Sequence, residues 1–276
     1  MKCIRDFNAV ELIEETHTYK VRNFPHLRFS SATSFVERHF KPFNSEVIAA
    51  NLLQYPKYED RTVPDILEEW AGLAQEGTYV HNVLEAYAPH DADKETLKAE
   101  QIVESLKLGA SNKHLKAVHG MNYLDYILKP HYELFLEVRL YSERYQICGT
   151  ADLLIHDPET GLWALVDWKT NRKINKSAFE YPYKGSARPT RYLTDCNFEH
   201  YTLQLTLYRY LLETEYGIKI DSNRIVHLRP KPTKMYPLGV QEYVLDYYYH
   251  ELHRMLEYRE HLKEQRELFD YELSES

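Results

Sequence analysis

The chain is short of cysteine. Its 276 residues include three, Cys3, Cys148 and Cys196, far apart and without a Cys-x-x-Cys pair. Neither a disulfide framework nor a zinc cluster is expected, and a reducing, cytoplasmic setting follows as an expectation. No stretch approaches the roughly twenty apolar residues that a membrane-spanning helix needs, so no membrane partner is expected. Met1 to Asp6 holds no apolar run, and no secretory signal is expected. Internal repeats, low-complexity tracts and Pro/Gly/Ser linkers are also missing. That leaves one large domain over residues 1–276, with decorations around a common core. Basic residues are outnumbered 34 to 42, a net charge of −8. This argues against a protein that coats nucleic acid non-specifically, but it leaves room for an enzyme whose cations gather at one site.

What is present is an ordinary soluble balance, 43% hydrophobic and 28% charged. Residues 1–30 read as short N-terminal strands, Ala9 to Ile13 and His17 to Val21, around a turn at Glu14-Glu15-Thr16. Residues 31–129 read as helical. Ser30 or Ser31 suits the cap of a short helix through His39. Val47, Ile48, Leu52 and Leu53 recur at helix spacing. Pro64 suits the first turn of a helix carrying Ile66, Leu67, Trp70 and Leu73. Gly77 is expected to break that helix, with another from Thr78 to Tyr87 and more near Lys94–Leu108 and Lys113–Leu128.

Residues 130–246 read as a sheet core. His131 to Leu140 alternates Leu134, Leu136, Val138 and Leu140 against Glu133, Phe135, Glu137 and Arg139, the period of a strand. Tyr145 to Ile155 is a second strand. After turn chemistry at Asp157–Gly161, Leu162 to Thr170 is apolar on both faces, which suits a central, covered strand. A polar loop from Asn171 to about Cys196 precedes a helix over Phe198 to Glu215. Strands follow near Arg224–Arg229 and Val240–Leu245. Residues 247–276 read as a charged C-terminal helix. The sum is an α/β chain, a sheet core flanked by helices with an added N-terminal helical region.

Two charges end the otherwise apolar strand at Val166-Asp167-Trp168-Lys169. Strand alternation puts Asp167 and Lys169 on one side. An isolated Asp-x-Lys is equally a surface ion pair. Its neighbours change the weight, because Gly149-Thr150-Ala151-Asp152 lies on the preceding strand and the turn makes the two an antiparallel hairpin. Asp152 then lies beside Asp167. Two carboxylates held together repel unless a proton or cation sits between them, and their oxygens suit Mg²⁺ or Mn²⁺. Lys169 would orient or activate water there, or neutralise developing charge.

Gly149-Thr150-Ala151-Asp152, Asp167-Trp168-Lys169-Thr170 and Gln204-Leu205-Thr206-Leu207-Tyr208 resemble the motif set of PD-(D/E)XK nucleases of the RecB-like branch. Gly77-Thr78-Tyr79-Val80-His81 is similar to that branch's helical motif, a glycine followed by a metal-ligand histidine. The stretch Asp195 to Gln204 looks like phage-encoded or viral members, which would place the protein in a host cytoplasm. The resemblance implies a PD-(D/E)XK (restriction-endonuclease-like) core with a central mixed sheet. It implies metal ligation by His81, Asp152, Asp167 and the backbone carbonyl of Trp168, and a catalytic role for Lys169 beside Asp152 and Asp167. Gln204 and Tyr208, one helical turn apart, would position the lysine and the nucleic acid; a plain amphipathic helix has the same spacing. Some relatives place a further acid where Glu137 stands, on the polar face of its strand, where a solvated residue is the alternative. Glu85, one turn after His81, would lie behind the ligands. With three cysteines and no C-terminal cluster of them, no iron–sulfur cluster is expected.

Lys169, Arg172, Lys173, Lys176, Lys184, Arg188 and Arg191 face one acid, Glu180, a local charge of +6. The last six of these residues are the expected nucleic-acid contacts, because phosphate contacts supply most non-specific affinity. Phe179, Tyr181, Tyr183 and Tyr192 interleave with them and suit base stacking. A second basic run covers Arg224 to Lys234. The resemblance implies a Mg²⁺- or Mn²⁺-dependent deoxyribonuclease. An exonuclease on free DNA ends, with a single-strand preference and a part in replication, recombination or repair, is the leading expectation. A non-cutting nucleic-acid-binding scaffold and a structure-specific endonuclease are the alternatives.

Overall fold

The computed structural model describes residues 2–4, 9–13, 18–87, 111–127, 131–178, 185 and 189–275, the last ten as backbone only. The expected helix at Lys94–Leu108 and the turn at Glu14–Thr16 lie outside the described residues.

A six-stranded mixed sheet forms the centre. Its strands are β3 (Ser30–Ser31), β4 (Glu133–Ser142), β5 (Ile147–Asp157), β6 (Leu162–Lys169), β7 (Ser222–Leu228) and β8 (Val240–Leu245). β4 and β6 both run antiparallel to β5, and β3 lies parallel to the start of β5. β7 runs parallel to β6. A parallel pair needs a crossover, and the helix Asn197–Glu215 supplies it. β6 is central, as its doubly apolar sequence requires. Leu165 enters the core on one face, Val166 and Trp168 the core on the other. β1 (Val10–Ile13) and β2 (Thr18–Val21) form a separate antiparallel ribbon, packed through Val10 and Val21 on Tyr141 and Cys148.

Six helices are described: α1 (Ala32–Glu37), α2 (Ser45–Leu52), α3 (Val63–Ala86), α4 (Asn112–Ile127), α5 (Asn197–Glu215) and α6 (Tyr249–Glu275). Ser31 caps α1, its Oγ accepting from the Ser34 amide at 3.0 Å. Thr62 and Asp65 form a reciprocal capping box at the start of α3, with Pro64 in the first turn. α1, α5 and α6 share one core with the sheet; α3 and α4 share the other.

Two expectations are corrected. α3 runs through Gly77 as one helix of 24 residues. A Cβ at Gly77 would stand 3.1 Å from Thr170 Oγ1, so this glycine lets α3 approach the end of β6. Its helix cost of about 1 kcal/mol against alanine is offset by the burial of Val80, Val83 and Leu84. The simple alternation along β4 also fails. Leu134 and Leu136 pack towards α3 and α4, whereas Val138 and Leu140 pack towards α5. β5 changes face in step, from Ala151 on the α5 side to Leu153 on the other. The pairing frame survives, Leu136 facing Leu153 and Val138 facing Ala151. The switch therefore falls on the opposed pair Glu137 and Asp152, with Glu137 in the left-handed region at φ 48°. Such a conformation costs a non-glycine residue on the order of 1–3 kcal/mol and clusters at functional sites.

Candidate active site

The switch brings charged groups from three adjacent strands to one place, because Glu137, Asp152 and Asp167 occupy neighbouring positions on β4, β5 and β6. α3 adds His81, whose Nδ1 lies 3.5 Å from Asp152 Oδ2. Ligand atoms of His81, Glu137 and Asp152 all lie within 4.8 Å of one another. The backbone N–H of Trp168 donates to Asp152 Oδ2 at 2.8 Å and fixes that carboxylate. Asp167, 2% exposed, is ion-paired with Lys169. The Lys169 ammonium also lies 4.6 Å from the centre of the Tyr201 ring, a favourable cation–π distance.

Burial drives the electrostatics. It pushes the Asp167 carboxyl up to about 6, against the pull of Lys169. It pushes Glu137 up to about 8, helped by the negative charges of Asp152, Glu85 and Asp167. Burial alone would lower the Lys169 ammonium, but the Asp167 and Asp152 carboxylates outweigh it and hold the group above its ordinary value. This is a crowded acidic site with one resident cation. A divalent ion fits the donor set of His81, Glu137 and Asp152, two carboxylates and an imidazole, while Asp167 stands beside it paired with Lys169 and outside that 4.8 Å group.

Gln204 and Tyr208 lie at the margin of the site. Gln204 Nε2 donates to the Tyr208 hydroxyl at 3.1 Å and to Thr33 Oγ1 at 3.3 Å. Tyr208 is buried beneath Gly149, where an added Cβ would meet its ring at 2.4 Å. Only glycine fits that position of β5. The indole of Trp168 turns to the opposite core, edge-on to Tyr123.

The basic loop divides. Arg172 is ion-paired with Glu69 of α3, which also holds Arg61. Lys173 and Lys176 are exposed, with Lys176 4.5 Å from the Phe198 ring. Arg191 stacks over Tyr192 at 4.7 Å. Lys184, Arg188, Phe179, Tyr181 and Tyr183 lie outside the described residues. In the second run, Arg224 faces Glu242 at 3.5 Å and Arg229 lies over Tyr236.

Glu137, which the sequence left open between a further site acid and a solvated strand residue, is a full member of the site. One feature escapes sequence reasoning: Lys116 of α4, buried and ion-paired with Glu76 of α3. Its Nζ donates to the Thr170 carbonyl at 2.7 Å. His227 Nε2 donates to the next carbonyl, that of Asn171, at 2.6 Å, and the Tyr201 hydroxyl donates to Asn171 Oδ1 at 2.9 Å. The chain is thus gripped from three elements just after Lys169. A lysine within a helix otherwise reads as solvated. A second group, His131, Asp157 and Glu159, is as compact as the first, but it sits at the β5–β6 turn without a lysine.

No curated protein sequence matches the chain. The family model of the PD-(D/E)XK nuclease superfamily matches residues 51–275, a span that takes in His81, Glu137, Asp152, Asp167, Lys169, Gln204 and Tyr208. With a central mixed sheet flanked by helices beneath these residues, the chain belongs to the PD-(D/E)XK nuclease superfamily.

Proposed function

We propose that the protein is a divalent-metal-dependent deoxyribonuclease that degrades DNA from free ends. The convergence of His81, Glu137 and Asp152 within 4.8 Å, beside the Asp167–Lys169 pair, carries this reading. Superfamily members are nucleases that use divalent metals. Here His81, Glu137, Asp152 and Asp167 would hold the ion, with the Trp168 carbonyl as a fifth donor. Oxygen-rich donors with one imidazole suit Mn²⁺ as well as Mg²⁺. When bound, the ion lowers the pKa of coordinated water and offsets negative charge on the phosphate.

The protein's own contribution is placement and charge. Hydrolysis adds water across a P–O bond, leaving a phosphate on one fragment and a hydroxyl on the other. Lys169 stays cationic beside two carboxylates, so its part is to orient the water and stabilise charge growing on the phosphate oxygens, not to accept a proton. Gln204, tied to Thr33 and Tyr208, supports the wall on which the strand lies. Lys173, Lys176 and Arg191, with Arg172, Lys184 and Arg188 of the same loop, supply phosphate contacts. The preference for ends and for single strands, and a part in DNA replication, recombination or repair, draw on the RecB-like order of the motifs. Linear end-labelled DNA should be degraded in Mn²⁺, while a covalently closed circle of the same sequence should survive. Rapid cutting of the circle would make the enzyme an endonuclease; tight binding of both with no cutting would leave only a scaffold.

Lys116 enters as a positioning residue. Lys116→Met should lower kcat about tenfold with little change in KM, since the lysine touches the backbone behind Lys169 and not the DNA. Lys116→Arg should recover part of the loss. A variant that folds with an unchanged kcat would show the clamp to be structural only.

A further inference from the structure

Away from the acidic site, a cleft of about 860 Å³ opens where the start of β3, the end of α1 and the middle of α6 meet. Arg28, Arg38, Arg259 and Lys263 line it, together with His39 and Tyr258, and no carboxylate does among the described residues. The three arginines sharing this concave surface repel one another, so their grouping costs stability unless an anion joins it.

Arg259 makes the point most sharply. One of its terminal nitrogens, Nη2, donates to Ser30 Oγ at 3.2 Å and to the Gln146 carbonyl at 3.0 Å. Its Nε is buried without a hydrogen-bond partner. Burial, with Arg38 beside it, pushes its pKa down to about 10, and no acid enters that balance. The nearby Glu260 is occupied by Arg144 through two hydrogen bonds. A guanidinium half withdrawn from water, facing another arginine and keeping a spare N–H, is an expensive arrangement for a protein to retain. It matches what a phosphate would satisfy, because its oxygens accept from forked arginine donors.

The cleft is connected to the active site at both ends. α1 begins beside the active site, with Thr33 bonded to Gln204, and Arg38 directly follows the helix, about 7.5 Å of helix rise from Thr33. On the other flank, Tyr258 also lines a depression holding Arg191, Tyr192 and Arg254, with one acid, Glu257, among them. Arg191 and Arg254 therefore lie next to the cleft, on the side of the loop that follows Lys169. His39 is fixed to that loop, its carbonyl accepting from Thr190 Oγ1 at 2.6 Å.

We propose that this cleft is a second phosphate-binding site, taking a phosphate group of the nucleic-acid strand engaged at the acidic site, with the Arg259 and Arg38 guanidinium groups as its cations. The identity of that strand as substrate rests on the nuclease reading; the phosphate site itself does not. The decisive measurement is fluorescence anisotropy with a labelled single-stranded oligonucleotide in EDTA, where no cleavage occurs. Arg38→Ala and Arg259→Gln should each weaken binding about tenfold. Each should also flatten the slope of log K against log salt by roughly 0.7, the value for one phosphate contact on a single strand. Arg38 is exposed, so its variant tests the site even if Arg259→Gln folds poorly.

Oligonucleotides with and without a terminal phosphate separate the two sources of the ligand. Weakening with both identifies an internal diester, and weakening confined to the phosphorylated ends identifies a terminal monoester. Wild-type affinity and salt slope in a folded Arg38→Ala protein would overturn the proposal. Should the wild type bind but never cut in Mn²⁺, the nuclease reading fails while the cleft result stands. Cutting by the wild type with unaltered binding by the variants is the reverse case.

Discussion

Lys169→Met is expected to lower kcat by about 10³-fold, near the scale for removing a preorganised stabiliser of developing charge. The lysine is the cation paired with Asp167 at the end of β6. Methionine keeps most of the side chain's length over Tyr201 and removes only the charge. KM should change much less, because binding of the strand draws on the basic loop. The fold should survive, since Asp167 can take up a proton when its partner is lost: burial already pushes that carboxyl up to about 6. Steady-state cleavage of end-labelled DNA, with thermal melting as a control for folding, measures this. A melting-competent variant within tenfold of wild type would remove Lys169 from the chemistry.

The second large effect couples pH, stability and metal. Glu137 has its folded pKa pushed up to about 8 by burial and neighbouring acids, above the ordinary carboxylate value near 4.5. Between those values the native protein holds a proton that the unfolded chain has released. The associated stability is complete below the unfolded pKa and is lost as pH rises through about 8. Asp167 acts in the same sense up to about 6. His39 and His227, pushed down by burial, act in the opposite sense at mildly acid pH. The informative quantity is therefore the difference from Glu137→Gln. Without metal, the wild type should lose on the order of 2 kcal/mol relative to that variant between pH 5 and pH 8. Mn²⁺ should restore the loss by taking the proton's place, and its uptake should release protons. Asp152→Asn should abolish both the restoration and cleavage. Parallel pH curves for wild type and Glu137→Gln would show that Glu137 does not titrate in this window.

What the sequence disclosed and what it hid divide along a physical line. Asp167 and Lys169 were conspicuous because two charges closed a strand apolar on both faces. The hairpin that sets Asp152 beside Asp167 followed from turn chemistry at Asp157–Gly161, and the serine pair Ser30-Ser31 marked the start of α1, which Ser31 caps. These are local signals. Gly77 read as a helix breaker because its use, the close passage of α3 by Thr170, depends on a residue 93 positions away. Glu137 stayed open between a further site acid and a solvated residue because the change of face that carries it inward is shared between β4 and β5. Lys116 and Arg259 give no signal in the sequence, being a lysine and an arginine among many in charged helices. Their burial comes from packing between elements, which a single helix does not encode.

The most direct test of the metal centre is anomalous diffraction at the manganese edge from crystals soaked in Mn²⁺. The expected result is a peak coordinated by Asp152 together with His81, Glu137 or Asp167, within reach of Lys169. A peak confined to His131, Asp157 and Glu159, with the Asp152 site open and unoccupied, would contradict it.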